Sequence, residues 1–257
     1  MGNEIHQAAR EGYAVDAKSY ARGRPEYPAE LAGWLADELG VLPGSHVVDL
    51  GAGTGKFTKR LLANGATVTA VEPVDAMRAE LAAGLPGVAA LVGAAASMPL
   101  QTAIADVVVC AQAFHWFAGE VELKEIHRVL RPGGRLGLVW NVRDESVDWV
   151  AELTRIITPY EGDAPRFYKG DWRRPFDASP YFDLPAPSSF VNAHVGTPEE
   201  VIVDRILSVS FIATLEPEEK AKVARRLRRL VAEHPALSGH ETVAFPYRTE
   251  AYCCSRR

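Results

Sequence analysis

Short apolar runs alternate with helix-period segments through the first half of the chain. Val47, Val48 and Leu50 form one buried run, and after a glycine-rich turn Lys56 to Ala63 carries leucines and polar residues at helical spacing. Val68-Thr-Ala-Val71 is a second strand, and Asp75-Ala-Met77 opens a second helix with Asp75 placed to cap it. Asp106 to Cys110 reads as a buried strand that opens into the aromatic string Phe114-His-Trp-Phe117. A helix from Val121 to Leu130 follows, Arg131-Pro-Gly-Gly134 stops it, and the next strand is Arg135 to Trp140. The second half is less regular. Residues 168–187 are rich in proline and aromatic residues and are expected to form an insertion over the site. Thr197-Pro-Glu-Glu200 is a capped start for a helix from Val201 to Leu215, a further helix spans Pro217 to Glu233, and Thr242 to Cys254 alternates like a strand. No internal repeat interrupts this order.

The glycine-rich turn after the first strand carries the most chemistry. Gly51, Gly53 and Gly55 stand at a strand-to-helix corner, where open α/β sheets bind nucleotide-like ligands. A phosphate loop of the GxxxxGK[ST] type needs glycine at 50 and a hydroxyl at 57, and the chain has Leu50 and Phe57. Lys56 is therefore not read as a phosphate lysine. The dinucleotide pattern GxGxxG needs glycine where Lys56 stands. Glu72, at the end of the second strand, is placed to accept hydrogen bonds from ribose hydroxyls, because a carboxylate can take two such bonds from a vicinal diol.

Asp49 followed by GxGxG resembles motif I of the class I S-adenosylmethionine-dependent methyltransferases. Gly93-Ala-Ala-Ala-Ser-Met-Pro-Leu100 and the string Leu130-Arg-Pro-Gly-Gly-Arg-Leu-Gly-Leu-Val139 resemble later segments of the same family, so the likeness covers about residues 45–140. It implies a Rossmann-like, doubly wound, seven-stranded and mostly parallel α/β sheet with an antiparallel last strand. It also implies a cofactor set of Asp49, Gly51, Ala52, Gly53, Glu72, Pro73, Met77, Ala95, Ala96, Ala111 and Gln112. Met77 reads equally as adenine contact or plain core. Ala94 replaces the acidic residue that many relatives place there, leaving the backbone of Ala95 and Ala96 to face the adenine. Upstream, the segment Tyr13 to Pro28, with its YxxxRPxYP pattern, resembles a subgroup that includes the trans-aconitate methyltransferases. There the segment is a strap over the methionine end of the cofactor, with Tyr20 and Arg24 as the matching positions.

The expected single domain divides into a strap and first helix (1–44), a cofactor-binding core (45–145), a substrate-covering insertion with helices (146–241) and a last strand with its tail (242–257). S-adenosylmethionine is the expected cofactor and a small molecule the expected acceptor, methylated by in-line displacement in which proximity supplies most of the acceleration. His115 is a candidate general base for a hydroxyl acceptor, or else one wall of an aromatic enclosure with Trp116 and Phe117. Arg143, Trp172 and Arg173 are the further substrate-side candidates, the arginines mattering most if the acceptor is a carboxylate. His194 reads as a packing residue. Two other functions stay open: a nicotinamide-dependent oxidoreductase on the same architecture, and a cofactor-binding regulator without catalysis.

Composition narrows the partners. The chain has 257 residues, is 47% hydrophobic and carries a net charge of −5, which argues against nucleic acid. Its basic stretch, Lys220 to Arg229, is interleaved with Val223 and Leu227 at helical spacing and reads as a solvated helix face. No membrane partner is expected, and no His/Cys/Asp cluster has metal-ligand spacing. No targeting segment is read, and three cysteines without a pairing framework suit the cytoplasm.

Overall fold

The computed structural model describes residues 24–257. Tyr20 lies outside the described residues. Helix α1 (Leu31–Asp37) leads into β1 (His46–Leu50), α2 (Lys56–Ala63), β2 (Thr67–Val71), α3 (Asp75–Gly84) and β3 (Ala89–Leu91). β4 (Ala105–Ala111), α4 (Glu120–Val129), β5 (Leu130–Arg143) and α5 (Asp148–Ile157) follow. The seven strands form one sheet in the order β3-β2-β1-β4-β5-β7-β6, where β6 is Ser188–Gly196 and β7 is Val243–Ser255. β1 to β5 pair in parallel, and β7 runs antiparallel to both β5 and β6. The chain-last strand is antiparallel as expected, but it lies inside the sheet and β6 takes the edge.

This order fixes where the site must be. Successive strands walk outward from β1 in one direction as far as β3 and then in the other from β4, so the carboxyl ends of β1 and β4 flank a topological switch point. Asp49 on β1 pairs with Ala70 on β2 and Val109 on β4. One sheet face is buried under α1 and α2 through Trp34, Leu35, Val47, Phe57 and Leu61. The other holds an aromatic core of Phe114, Trp140, Trp172, Phe182 and Tyr252. A third cluster packs α5 and the long helix α8 (Pro217–Glu233) on Phe245 and Tyr247 of β7.

The sequence reading departs from the structure in the covering segment. The expected helix from Val201 to Leu215 is a π-helical stretch, Glu199–Asp204, then α6 (Arg205–Leu207) and α7 (Ser210–Ala213). Val209 is extended at ψ 133 and breaks the run between the two short helices. Its start does carry the capping pair, with Thr197 Oγ1 accepting the Glu200 N–H at 3.3 Å and donating to Glu200 Oε2 at 2.8 Å. β6, inside the stretch expected to be a cover, belongs to the central sheet. On α8, Lys222 pairs with Glu219, Arg228 with Glu199 and Arg229 with Glu233, so much of the basic stretch is neutralised locally. Among the described residues no helix is long and apolar enough to cross a membrane.

Gly51 joins β1 to the turn at φ +71, and a Cβ there would lie 2.7 Å from the Ala113 Cβ after β4. Strain and overlap act together, so Gly51→Ala should destabilise the fold by about 2–4 kcal/mol. Chemical denaturation reads this directly; an unchanged midpoint would show that the corner relaxes freely.

Candidate active site

Two buried carboxylates organise the corner. Asp49, the penultimate residue of β1, is 1% exposed and accepts a hydrogen bond from Thr58 Oγ1 of α2 at 2.6 Å through Oδ2. Its Oδ1 is buried without a hydrogen-bond partner. Burial pushes its pKa up to about 7; the Thr58 hydrogen bond opposes this and the charge of Glu72 adds to it. Glu72 is 5% exposed at the end of β2. The Gly53 N–H donates to its Oε2 and the Val74 N–H to its Oε1, each at 2.8 Å. Burial raises its pKa, against those two backbone bonds and the charge of Arg78. Glu72 thus satisfies the N–H of Val74, the residue preceding α3. Asp75 does not cap that helix: it is the first helical residue, and its carboxylate pairs with Arg78 at 2.6 Å.

A cavity of about 270 Å³ opens above these groups. It is lined at the corner by Asp49, Gly51, Ala52, Glu72 and Pro73, with the buried Met77 of α3 beside them. Ala94, Ala95 and Ala96 form a small-residue wall, and Ala111, Gln112, Trp116 and Phe117 follow from the end of β4. Gln112 stands at φ +59, a conformation uncommon outside glycine, and its N–H is held by the Val139 carbonyl at 2.8 Å. Gly53 does not line the cavity; it acts through its bond to Glu72. Arg24 lines it from the segment before α1, donating from Nη2 to the Ser208 carbonyl, between α6 and α7, at 3.5 Å.

Lys56, Asn141 and Arg205 also line the cavity and were not among the residues singled out from sequence. Arg205 is 7% exposed, at the point where the π-helical stretch passes into α6. An arginine within the apolar run Val201 to Phe211 was the signal available for it. Among the described residues no group of three or more His, Cys, Asp or Glu could hold a metal ion.

A methyltransferase domain model matches residues 48–138. An uncharacterized methyltransferase of Mycobacterium tuberculosis is 42% identical over 246 residues, covering 93% of this chain and 92% of that protein. A methyltransferase-like protein of Schizosaccharomyces pombe is 37% identical over 241 residues and 93% of each chain. The chain belongs to the class I S-adenosylmethionine-dependent methyltransferases. A protein of Anaeromyxobacter dehalogenans, provisionally named a type II methyltransferase, shares the fold of this methyltransferase at TM-score 0.62 and 23% identity. That likeness covers 91% of this chain and 96% of the other.

Four of the expected substrate-side residues of the methyltransferase do not line its cavity. His115 sits in a single 3₁₀ turn, Phe114–Trp116, and its Nδ1 accepts the Trp140 indole N–H at 3.0 Å. Because an indole N–H only donates, that nitrogen is unprotonated and the remaining proton is on Nε2. Burial, with the charges of Arg166 and Arg24, pushes the imidazole pKa down to about 3. A base so weak is poorly matched to neutral pH, and the Nδ1 lone pair is taken up by Trp140. Trp172 is 2% exposed in the aromatic core, its indole donating to the Phe167 carbonyl at 3.0 Å. Arg173 lies over that indole at 4.4 Å and donates to the Tyr252 hydroxyl at 2.8 Å. Arg143, at the end of β5, is surrounded by Tyr247, Glu145, Glu161 and Tyr168, and burial lowers its pKa.

Since the unfolded chain protonates its histidine near pH 6.5 and the folded one only near 3, His115 contributes stability that is lost as pH falls below about 6.5. Its ring resonances in an NMR titration should stay at neutral positions from pH 5 to 8. A midpoint near 6.5 would place the ring in water.

Proposed function

We propose that the enzyme transfers the methyl group of S-adenosylmethionine to a carboxylate oxygen of a small molecule. The observation that carries this reading is the make-up of one cavity: carboxylates at the glycine corner, guanidinium groups from Arg24 and Arg205, and no histidine among its described lining residues. S-adenosylmethionine, when bound, supplies a methyl group on a cationic sulfur that is open to in-line displacement.

The residues present fit that cofactor. Asp49 Oδ1 is a buried oxygen without a partner, and a cationic ligand beside it would favour its ionised form. Glu72 keeps lone pairs for ribose hydroxyls after its two backbone bonds, and those bonds hold its carboxylate still. Ala94, Ala95, Ala96 and Met77 offer a thin apolar slot for a base. Arg24 would pair with the methionyl carboxylate and Arg205 with the acceptor, as planar guanidinium groups match carboxylates well. Trp116 and Phe117 would keep water from the reacting atoms.

A carboxylate acceptor is already ionised at neutral pH, so no base is required. This suits a cavity with no histidine among its described lining residues, His115 being bonded to Trp140. A hydroxyl acceptor would need a proton removed, and His115 is not placed to take it. We assign the enzyme to the cytoplasm and to small-molecule rather than nucleic-acid or membrane partners, a reading supported by its three free cysteines and its acidic balance.

Calorimetry with S-adenosylhomocysteine against NADH tests the cofactor. Binding of NADH alone would sink the proposal. Glu72→Ala should weaken S-adenosylhomocysteine by about 1.5–3 kcal/mol through loss of charge-assisted bonds; equal affinity would place the ribose elsewhere. For the acceptor, paired carboxylates and alcohols should show turnover with the carboxylates. Arg205→Met should raise KM for the best carboxylate at least about tenfold while leaving S-adenosylhomocysteine affinity in place. Preferential methylation of the alcohols would overturn the acceptor assignment.

A further inference from the structure

Lys56 is an unusual residue for its place. It is the first residue of α2, where Gly55 provides no side-chain cap and no acidic residue lies in the first turn. A cation at a helix N-terminus opposes the helix dipole, so its charge is expected to be engaged elsewhere. Its Nζ donates to the Arg24 carbonyl at 2.6 Å and pairs with Glu26 Oε1 at 2.9 Å. Arg60, one turn further on the same face of α2, donates from Nη2 to the Tyr27 carbonyl at 2.6 Å. Asn192 donates to the Glu26 carbonyl at 2.8 Å from the edge strand β6. The segment before α1 is thus held from the glycine-corner helix and from the far side of the sheet.

We propose that Lys56 is a positioning residue: it fixes the backbone of Arg24, and so sets the guanidinium that Arg24 presents to the cavity. This rests on the reading that the cavity takes S-adenosylmethionine and that Arg24 binds its carboxylate. The Glu26 pair is two-thirds exposed on the glutamate side and contributes little alone. The short bond to a carbonyl next to Pro25 is the constraining contact, because proline already fixes φ and restricts Arg24 to extended conformations. With that carbonyl held, the remaining freedom of Arg24 is mainly in its side chain, which reaches the Ser208 carbonyl between α6 and α7. The lysine that breaks the dinucleotide pattern therefore links the donor corner to the strap.

The test is a double-mutant cycle read by calorimetry with S-adenosylhomocysteine, on full-length wild type, Lys56→Met, Lys56→Arg, Arg60→Met, Arg24→Ala and the Lys56→Met/Arg24→Ala pair. Lys56→Met should weaken binding about tenfold, Lys56→Arg should restore most of it, and the pair should bind no more weakly than Arg24→Ala alone. Arg60→Met should stay within about threefold of wild type, since it releases Tyr27 and leaves Arg24 held. Independent, multiplying losses in the pair would overturn the proposal and make Lys56 a direct ligand contact. Equal losses in Lys56→Met and Arg60→Met would also overturn it, leaving general anchoring of the segment. A lower melting temperature in Lys56→Met with unchanged affinity would make the lysine merely structural. If wild type binds no S-adenosylhomocysteine, the cofactor reading falls first and this proposal with it; wild-type binding matched by Lys56→Met overturns this proposal alone.

Discussion

The site depends on one buried carboxylate held by two backbone N–H groups. Glu72 joins the turn after β1 to the turn after β2, through Gly53 and Val74. Removing it would leave the buried Val74 N–H and the partly buried Gly53 N–H unpaired. The same anchoring gives the carboxylate a fixed direction. The glycines are consequences of this arrangement. Gly51 must turn at positive φ against Ala113, and Gly53 must present its N–H to Glu72. Asp49 completes the corner at a cost in desolvation that raises its pKa to about 7.

From that corner the rest of the molecule is assembled in layers. The aromatic core on one face of the sheet holds Trp172 and engages His115 through the Trp140 indole. The stretch between β6 and α8 contributes Arg205 at the end of a π-helical turn, an irregularity frequent at functional sites. The segment ahead of α1 is held by Lys56, Arg60 and Asn192, three residues remote from it in sequence. Their convergence gives the cavity one end of carboxylates and guanidinium groups supplied from two other elements.

Much of this was legible along the chain because it is local. Alternating apolar and helical periods identified β1, α2, β2 and β4 close to their observed limits, since burial on both faces demands continuous apolar strands. Spacing alone separated the glycine corner from a phosphate loop and set it apart from the full dinucleotide pattern at Lys56. Glu72 followed from its place at a strand end. The position of β6 and the break at Val209 were not legible, because both depend on which surface the segment packs against.

The chain by itself determined the α/β alternation, the corner and the carboxylate that serves it, for these follow from period, turn chemistry and spacing over short distances. Only tertiary structure decided what each ring and cation does. Trp140 took up the Nδ1 of His115, and strand pairing brought Asn141 and Asn192 together beside the Glu26 carbonyl. Such roles are set by neighbours far apart in sequence, and the physical reason is that burial and hydrogen-bond partners, not residue type, decide whether a side chain binds, titrates or packs.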